Sequence, residues 1–421
     1  MRAYLGHGYL QGAITAPPSK SYTQRAYAAA LLHAGSTLVH GAGNSSDEQA
    51  AFEVIQQLGA IVNTSEFVEI SSRGIKPVSG KINVGESGLA ARLFTPIAAI
   101  SEREMTVEGK GSLLKRPMDG FSSVFSQLGV KLAGYSGYLP FTVQGPMLSH
   151  SVRVNASDGS QFLSGLLFAL SSVAKDAITI EVTDLKSRPY IDMTLDVLAQ
   201  FGKPVAHNNY KQFYIDPALF HFPGTVEINI EGDWSSAAGF LVGGAIGGDV
   251  VVKNLDMASK QADKAVVDVL QMAGASIGIQ GNSVATKKSN LHPFDFDATH
   301  SPDLFPILAI LATCCGGESS ISGVHRLFFK ESNRVESITE MLQDFAVPFS
   351  VEDDKLFVSG MPRLQGTVLD SYNDHRIVMA AAIGAIRANG PVEISGAEAV
   401  NKSYPRFFDD YVSCGGNCKL I

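Results

Sequence analysis

Apolar segments alternate with short polar segments along the whole chain. The clearest example is YNDHRIVMAAAIGAI at residues 372–386, where four polar residues lead directly into an apolar stretch. A helix that is apolar on nearly every side is buried. Asn and Asp at its start cap the free N–H groups of the first turn. The pattern therefore predicts buried helices whose N-terminal ends carry short polar segments, here called polar tips. Capping does not explain why His375 and Arg376 are present in this one.

A second pattern marks the ends of helices. Helix-like segments that finish at a small residue and continue into a strand recur about every 70 residues, which is the signature of an internal repeat. Glycine just past a helix is the preferred left-handed cap. Ala346 is an exception, and we expect its helix to end differently. The six markers are Gly59, Gly129, Gly202, Gly274, Ala346 and Gly416.

The repeats predict an α/β architecture. A period near 70 residues is too long for a solenoid and suits small units, each with a sheet and two helices, collected three to a domain. The 421 residues also exceed the ~250 to 300 at which a single core stops growing. We predict one domain at 19–231 and a discontinuous second domain formed by 1–18 and 232–421.

Composition limits the possible partners. With 45% hydrophobic and 18% charged residues and a net charge of −8, the chain is unsuited to nucleic acid or an anionic membrane. Its longest apolar run, LFPILAILATCC, is shorter than a membrane span, and the N-terminus lacks an apolar secretion signal. The four cysteines form neither a zinc nor a disulfide pattern. We expect a cytoplasmic protein with reduced thiols, no metal and no cofactor.

Cations recur at the polar tips, at or just inside helix starts. A cation there is unfavourable against the helix dipole unless an anion neutralises both, and N–H groups beside Lys or Arg form an anion site. Each one alone could be a solvated surface charge. Together they indicate a cationic cleft for a small, multiply charged ligand. They are Lys20, Arg25, Arg92, Arg116, Arg188, Arg334, Arg376 and Lys402.

Acidic groups and a histidine lie among these cations. Glu331, between Lys330 and Arg334, is either a structural ion pair or a general acid or base, and spacing does not separate the two. Asp303 in SPD is suited to capping a helix. Motifs for a phosphate loop, a dinucleotide fold, a zinc protease or a serine nucleophile elbow are missing from the sequence. The remaining members of the set are Asp47, Asp233, Asp374 and His375.

The tips together resemble those of a known family. In this order and spacing, PPSKSYTQR, SQFLSGLL, SRPYIDMTLDVL, EGDWSSAAGFL, KESNRVESI, YNDHRIVMAAAI and NKSYP are similar to the motifs of the EPSP synthase family, over the whole chain. The resemblance implies the enolpyruvyl transferase fold, with two three-repeat domains and an active site in the cleft between them. It also implies transfer of the carboxyvinyl group of phosphoenolpyruvate to the 5-hydroxyl of shikimate 3-phosphate, in aromatic amino acid biosynthesis, by a monomer.

The resemblance also implies roles for individual residues. Asp303 and Glu331 are the leading proton-transfer groups, with Lys20, His375 and Lys402 also catalytic. Asn373 and Asp374 organise their tip, and Arg188 and Tyr190 lie beside the shikimate site. The residues implied to bind shikimate 3-phosphate are Lys20, Ser21, Arg25, Ser160, Gln161, Ser187, Asp303, Arg326 and Lys330. The residues implied to bind phosphoenolpyruvate are Lys20, Gly88, Arg116, Gln161, Arg334, Arg376 and Lys402.

Several positions depart from the family pattern. Where the family commonly reads GNAGTAMRP, this chain reads GESGLAARL, which places Glu86, Leu89 and Leu93 beside the phosphoenolpyruvate pocket. We expect Glu86 to turn away from the substrate phosphate or to pair with Arg92; these changes bear on affinity and on inhibition by glyphosate. Gly159 stands at the place of a phosphate-binding Ser, and Arg326, at the place of an Asn, is a candidate to compensate.

Two other functions fit parts of the pattern. A UDP-N-acetylglucosamine enolpyruvyl transferase shares the fold, but it typically carries a reactive Cys in the loop that here reads GKGSLLKRP. A paralogue that binds anions without turnover would account for Glu86, Leu89 and Gly159. Such a binder would have no need of Asp303 and Glu331.

Overall fold

The computed structural model describes residues 1–118 and 120–421. Contacts divide the chain into two compact units. The N-terminal unit is Pro18–Ile230, and the C-terminal unit combines Met1–Pro17 with Glu231–Ile421. The chain thus crosses between units after Pro17 and after Ile230, because the first two strands belong to the C-terminal unit.

Each unit contains two kinds of helix, buried ones that follow the polar tips and more exposed ones that precede the small-residue caps. The N-terminal unit has α1 (Lys20–Leu32), α2 (Ser46–Gln57), α3 (Gly88–Ala98), α4 (Phe121–Gln127), α5 (Gln161–Val173) and α6 (Pro189–Gln200). The C-terminal unit has α7 (Trp234–Gly247), α8 (Val266–Met272), α9 (Phe305–Thr313), α10 (Arg334–Asp344), α11 (His375–Ala385) and α12 (Phe407–Ser413). Short 3-10 helices cover Gly111–Lys115, Pro217–Leu219, Ala262–Ala265, Pro302–Leu304, Val324–Arg326 and Ala397–Lys402.

Within the described residues, each unit contains three four-stranded sheets. In order across each sheet, those of the N-terminal unit are β14 (Thr225–Asn229), β3 (Gly35–His40), β5 (Val68–Ser72), β4 (Ile61–Thr64); β6 (Lys81–Asn83), β7 (Met105–Glu108), β9 (Phe141–Gln144), β8 (Lys131–Ala133); and β10 (Val152–Asn155), β11 (Ile178–Thr183), β13 (Gln212–Ile215), β12 (Ala206–Asn208). Those of the C-terminal unit are β2 (Leu10–Thr15), β15 (Gly248–Lys253), β17 (Ser283–Lys287), β16 (Ser276–Gln280); β18 (Asp295–Asp297), β19 (Glu318–Ser322), β21 (Lys355–Ser359), β20 (Phe349–Glu352); and β22 (Val368–Asp370), β23 (Val392–Ser395), β1 (Arg2–Leu5), β24 (Cys418–Leu420).

All six sheets have the same topology. In each sheet the first pair is parallel and the other two pairs are antiparallel. The parallel strands need a crossover helix, and the buried helix supplies it in four of the described sheets. In the other two, β14 and β2 pair within one unit while the chain continues into a helix of the other. The prediction of six copies of one α/β unit is confirmed.

Three buried helices form the centre of each unit. In the N-terminal unit α1, α3 and α5 contact one another, as α7, α9 and α11 do in the C-terminal unit. Two of these helices approach closely at Gly165 of α5, where an added Cβ would lie 2.6 Å from the carbonyl oxygen of Arg92 on α3. Pro96 has no N–H to donate to that carbonyl, so α3 leaves it available to a neighbouring backbone.

The observed helix ends differ from the predicted ones in two places. Ala346 has a φ of +58°, so its helix ends in the same left-handed conformation as the others, although alanine adopts it at a cost. In the last copy the left-handed residue is Gly415, not Gly416. The left-handed caps are therefore Gly59, Gly129, Gly202, Gly274, Ala346 and Gly415.

No helix in the described part of the chain is long and apolar enough to cross a membrane.

Candidate active site

The first tip of the N-terminal unit holds a partly buried ion pair. Ser19 caps α1 by accepting a hydrogen bond from the Tyr22 amide. Lys20, the first residue of the helix, then donates from Nζ to Oδ2 of Asp47 across 2.8 Å. Asp47 lies in the first turn of α2, where a carboxylate is favourable against the helix dipole. Lys20 is thereby anchored with its ammonium group at the helix start.

Arg25 lies one turn further along α1 and is almost entirely buried. Its hydrogen bonds run to the hydroxyls of Thr194 (2.9 Å) and Ser164 (3.5 Å) and to the backbone carbonyls of Ser21 (2.9 Å) and Tyr190 (3.1 Å). All four acceptors are neutral, and burial lowers the pKa of Arg25 to about 10. A buried cation held by neutral groups is suited to an anionic ligand.

Arg116 lies against the start of α3. A Cβ atom at Gly88 would be 2.5 Å from Nη1 of Arg116, so only glycine allows this approach. Ser87 caps the same helix by accepting from the Ala90 amide. Gly88 and Arg116, both predicted to bind phosphoenolpyruvate, therefore lie next to each other in the structure.

Glu86 turns toward the short helix Gly111–Lys115, at whose C-terminal end Arg116 lies. Its carboxylate is 3.4 Å from both the amide and the hydroxyl of Ser112, and it packs directly against Gly111. Arg92 donates to the carbonyls of Gly88 (3.2 Å) and Pro117 (2.6 Å). These contacts direct the Glu86 carboxylate toward Ser112, and its orientation relative to a substrate phosphate stays a prediction.

The third repeat supplies hydroxyl and amide groups. Ser160 and Gln161 lie at the start of α5, Ser160 being buried. Ser187 is buried with a positive φ of +56°, and Arg188 follows it as the N-cap of α6. The Arg188 guanidinium lies over the ring of Tyr210, 5.6 Å from its centroid, and Tyr190 lies near Arg25 in the same way at 6.0 Å.

In the C-terminal unit, Arg334 joins three carboxylates. It is completely buried at the start of α10 and donates to Asp303 (2.6 Å), Glu331 (2.7 Å) and Asp374 (2.7 Å). Burial would lower the pKa of Arg334, but these three carboxylates raise it well above its usual value. The guanidinium predicted to clamp phosphoenolpyruvate therefore also holds both predicted proton-transfer groups.

Asp303 is an ion-pair residue and does not cap a helix by its side chain. It lies inside the short helix Pro302–Leu304, and Lys330 approaches it at 3.3 Å in addition to Arg334. Burial would raise the pKa of Asp303, yet the charges of Lys330, Arg334 and Arg376 lower it well below its usual value. Burial lowers the pKa of Lys330. Asp303 is therefore held as a carboxylate.

The tip that precedes α11 combines a cap and two cations. Asp374 accepts a hydrogen bond from the amide of Arg376 at 2.9 Å and is fully buried. His375 is also buried, with Nδ1 3.9 Å from Asp374. Lys402 donates to the carbonyl of Asn373 across 2.7 Å. Within the described residues, Nε and Nη1 of the buried Arg376 have no hydrogen-bond partner.

Arg326 ends the short helix Val324–Arg326, half-buried in the C-terminal unit. Its charge is one of those that lower the pKa of Lys330. Gly159, in the N-terminal unit, has a φ of +133°, a conformation that a serine at this place would rarely adopt.

Three further residues of these sites were not predicted from the sequence. Ser164 and Thr194 hold Arg25, and Asp263 is a buried carboxyl beside Asp303 and Arg376. Ser164 could have been recognised as a polar position on the apolar helix SQFLSGLLFAL. Asp263 follows Ser235 by a spacing close to that from Lys20 to Asp47, which the repeat could have revealed. In the described chain, no group of three or more His, Cys, Asp or Glu could hold a metal ion.

Solved structures with a similar fold define the class. An EPSP synthase from Acinetobacter baumannii superposes with a TM-score of 0.82 at 24% identity, with 100% of this chain and 99% of that chain covered. The enolpyruvyl transferase NikO from Streptomyces tendae superposes with a TM-score of 0.78 at 15% identity, covering 99% and 98%. The fold is that of the enolpyruvyl transferases, as predicted.

Sequence comparison assigns the family. Residues 5–411 match the family model described as EPSP synthase (3-phosphoshikimate 1-carboxyvinyltransferase). The 3-phosphoshikimate 1-carboxyvinyltransferase of Clostridium novyi is 36% identical over 418 residues, which covers 97% of this chain and 96% of the relative. That of Clostridium acetobutylicum is 34% identical over 414 residues with the same coverage. The chain belongs to the EPSP synthase family, which confirms the resemblance found in the sequence.

Proposed function

We propose that this chain carries out the reaction of its family with the tip residues described above. It transfers the carboxyvinyl group of phosphoenolpyruvate to the 5-hydroxyl of shikimate 3-phosphate and releases phosphate, by addition followed by elimination. Both substrates are anions, and the tips are rich in cations. The observation that carries the proposal is Arg334, a buried guanidinium that holds Asp303 and Glu331 on two of its nitrogens.

In this proposal the N-terminal unit binds shikimate 3-phosphate. Arg25 is a buried cation with neutral partners, so a phosphate would supply the counter-charge that its surroundings lack. Lys20, at the start of the same helix, adds a second positive charge at a helix N-terminus, where an anion is favoured. Ser160, Gln161 and Ser187 are the proposed neutral contacts to the substrate.

The remaining cations are proposed to bind phosphoenolpyruvate. Arg376 supports this role because two of its nitrogens are buried without a partner in the described residues. Arg116 lies against Gly88 at the start of α3, and the N-terminus of a helix favours an anion. Arg334 and Lys402 complete the proposed set. Several cations hold the reactants in attack geometry and neutralise the repulsion between them.

Asp303 and Glu331 are proposed to carry out the proton transfers. Asp303 is held as a carboxylate and is suited to accept the proton of the attacking hydroxyl. Glu331 is proposed to exchange a proton with the methylene carbon, and its 2.7 Å bond to Arg334 fixes one of its oxygens. His375 and Lys402 are proposed to assist. A binder without turnover would have no use for two carboxyl groups held in this way.

The chain is also proposed to act as a cytoplasmic monomer on these two small substrates.

Phosphate release tests the proposal. Purified protein is given phosphoenolpyruvate with shikimate 3-phosphate, and parallel reactions receive no acceptor or UDP-N-acetylglucosamine. We expect release only with shikimate 3-phosphate, and its near-complete loss in Glu331→Gln. Release with the UDP-sugar would indicate the related transferase. Binding of both substrates by calorimetry without release would indicate a non-catalytic paralogue.

A further inference from the structure

Asp263 is a buried carboxyl group for which the proposed reaction has no role so far. It lies in the short helix Ala262–Ala265 and is fully buried. Its Oδ2 accepts a hydrogen bond from the hydroxyl of Ser235, in the first turn of α7. Its Oδ1 has no hydrogen-bond partner in the described residues. A charged carboxylate in such a place would be costly, because one oxygen lacks any compensating donor.

The charges around Asp263 come from three tips of the same unit. Asp233, the cap of α7, and Asp303 repel a negative charge at Asp263, whereas Arg376 on α11 attracts one. The side chain of Lys264, its neighbour, is bonded to the carbonyls of Met257 (2.8 Å) and Ser259 (3.0 Å).

The helix that follows adds little to this balance. Asp268 is the one titratable residue of α8 and is exposed. Burial, reinforced by Asp303 and Asp233 and opposed by Arg376 and the Ser235 bond, raises the pKa of Asp263 to about 7. The group therefore changes charge near neutral pH, in the interior of the unit.

Arg376 has buried donors and Asp263 a buried acceptor that lack hydrogen-bond partners, but the two residues do not form an ion pair with each other. Nε and Nη1 of Arg376 and Oδ1 of Asp263 are all buried without hydrogen-bond partners in the part of the chain that the structure describes. An ionised Asp263 would act as the counter-ion of Arg376 and compete with an anionic substrate for it. A neutral Asp263 leaves that charge available.

We propose that Asp263 is a positioning residue that stays a neutral carboxylic acid while phosphoenolpyruvate binds, so that Arg376 keeps its full charge for the substrate. This rests on the proposed function of Arg376. No covalent step is involved: the proton stays on the carboxyl group while the Ser235 hydroxyl donates to Oδ2. The Asp263 proton thus controls affinity for phosphoenolpyruvate and not the chemical step.

The test compares pH profiles of wild type, Asp263→Asn and Ser235→Ala. KM for phosphoenolpyruvate and kcat are measured separately between pH 6 and pH 8 at saturating shikimate 3-phosphate. In wild type we expect KM to rise about tenfold over this range, as a single ionisation near pH 7 would produce. Asparagine cannot ionise, so the Asp263→Asn variant should show a much flatter profile. The substrate phosphate titrates in the same range in every protein, so the difference between proteins decides.

Ser235→Ala provides an independent measurement if the asparagine variant folds poorly. The Ser235 hydrogen bond lowers the pKa of Asp263, so its removal should move the midpoint of the KM profile to higher pH while kcat changes little. A purely structural role would not shift this midpoint. Thermal unfolding of each variant shows whether it is folded.

Three outcomes decide the matter. A flat Asp263→Asn profile and a raised midpoint in Ser235→Ala support the proposal. A wild-type profile in Asp263→Asn, or loss of its activity at every pH in a folded protein, overturns it. If wild type releases no phosphate, the proposed function fails, and calorimetry of phosphoenolpyruvate binding at pH 6 and pH 8 with the same variants then decides the role of Asp263.

Discussion

Nη1 of Arg334 donates to Oδ1 of Asp303 across 2.6 Å, inside the C-terminal unit. The other nitrogens of the same guanidinium hold Glu331 and Asp374. One cation thus ties the beginnings of three helical segments together. With Lys330 and Arg376, it lowers the pKa of Asp303, a proposed catalytic carboxylate. Loss of that cation would leave several carboxylates without their charge partner.

Arg334→Met should lower the free energy of unfolding at pH 7 by about 3–5 kcal/mol, because a broken buried ion pair leaves uncompensated charge. In wild type the pKa of Asp303 is lowered, so its contribution is complete above the unfolded pKa of about 4 and is lost only as pH falls through the lower folded value. The variant should therefore lose most relative to wild type near neutral pH. Urea unfolding at several pH values measures this, with the exposed Arg363→Met as control.

Glu86→Ala should raise KM for phosphoenolpyruvate by about three- to tenfold with a smaller change in kcat, as expected when a hydrogen bond worth about 1 kcal/mol is lost. The reason is the contact of Glu86 with Ser112, which holds the short helix that ends at Arg116. Steady-state kinetics measures both constants. Glu86→Gln, which keeps an acceptor, should be affected less, and Ser112→Ala should resemble Glu86→Ala.

The direction of this change separates two roles for Glu86. A carboxylate that mainly repels the substrate phosphate would give a lower KM in both Glu86 variants, contrary to the expectation above.

Ala346→Gly should stabilise the protein by about 0.5–1 kcal/mol, because alanine at a φ of +58° carries a cost that glycine avoids. Unfolding in urea measures the change. The control is Ala199→Gly, at an exposed position inside α6, which should be destabilised by a similar amount. Equal destabilisation of both variants would show that the left-handed cap carries no strain at Ala346.

Gly165→Ala should destabilise the N-terminal unit by about 1–3 kcal/mol, since the added Cβ would lie 2.6 Å and 2.8 Å from the carbonyls of Arg92 and Leu93. The matched variant is Gly239→Ala in α7, where the nearest atom belongs to Ile383 at 3.7 Å. Thermal unfolding should separate the two. A Gly165→Ala protein as stable as Gly239→Ala would mean that α3 and α5 can move apart freely.

The repeat, the buried helices and the family could all be predicted from the linear chain. Six apolar segments with polar starts are a local property of the chain, and period and burial follow from side-chain hydrophobicity alone. Four of the left-handed caps were visible as glycines, but the last lies at Gly415 and not at Gly416. Ala346 hides another, because its conformation is imposed by the turn and not by its own preference. The tip motifs carried the family assignment because their residues are contiguous.

The partners of the charged residues, in contrast, depend on how the chain folds in three dimensions. Spacing left Glu331 between an ion pair and an acid or base, and placed Asp303 as a cap; the fold brings both to Arg334 instead. Arg25 meets Thr194 and Asp263 meets the surroundings of Arg376 only because helices distant in sequence pack together. Charge, desolvation and pKa depend on these three-dimensional distances, which a linear sequence does not contain.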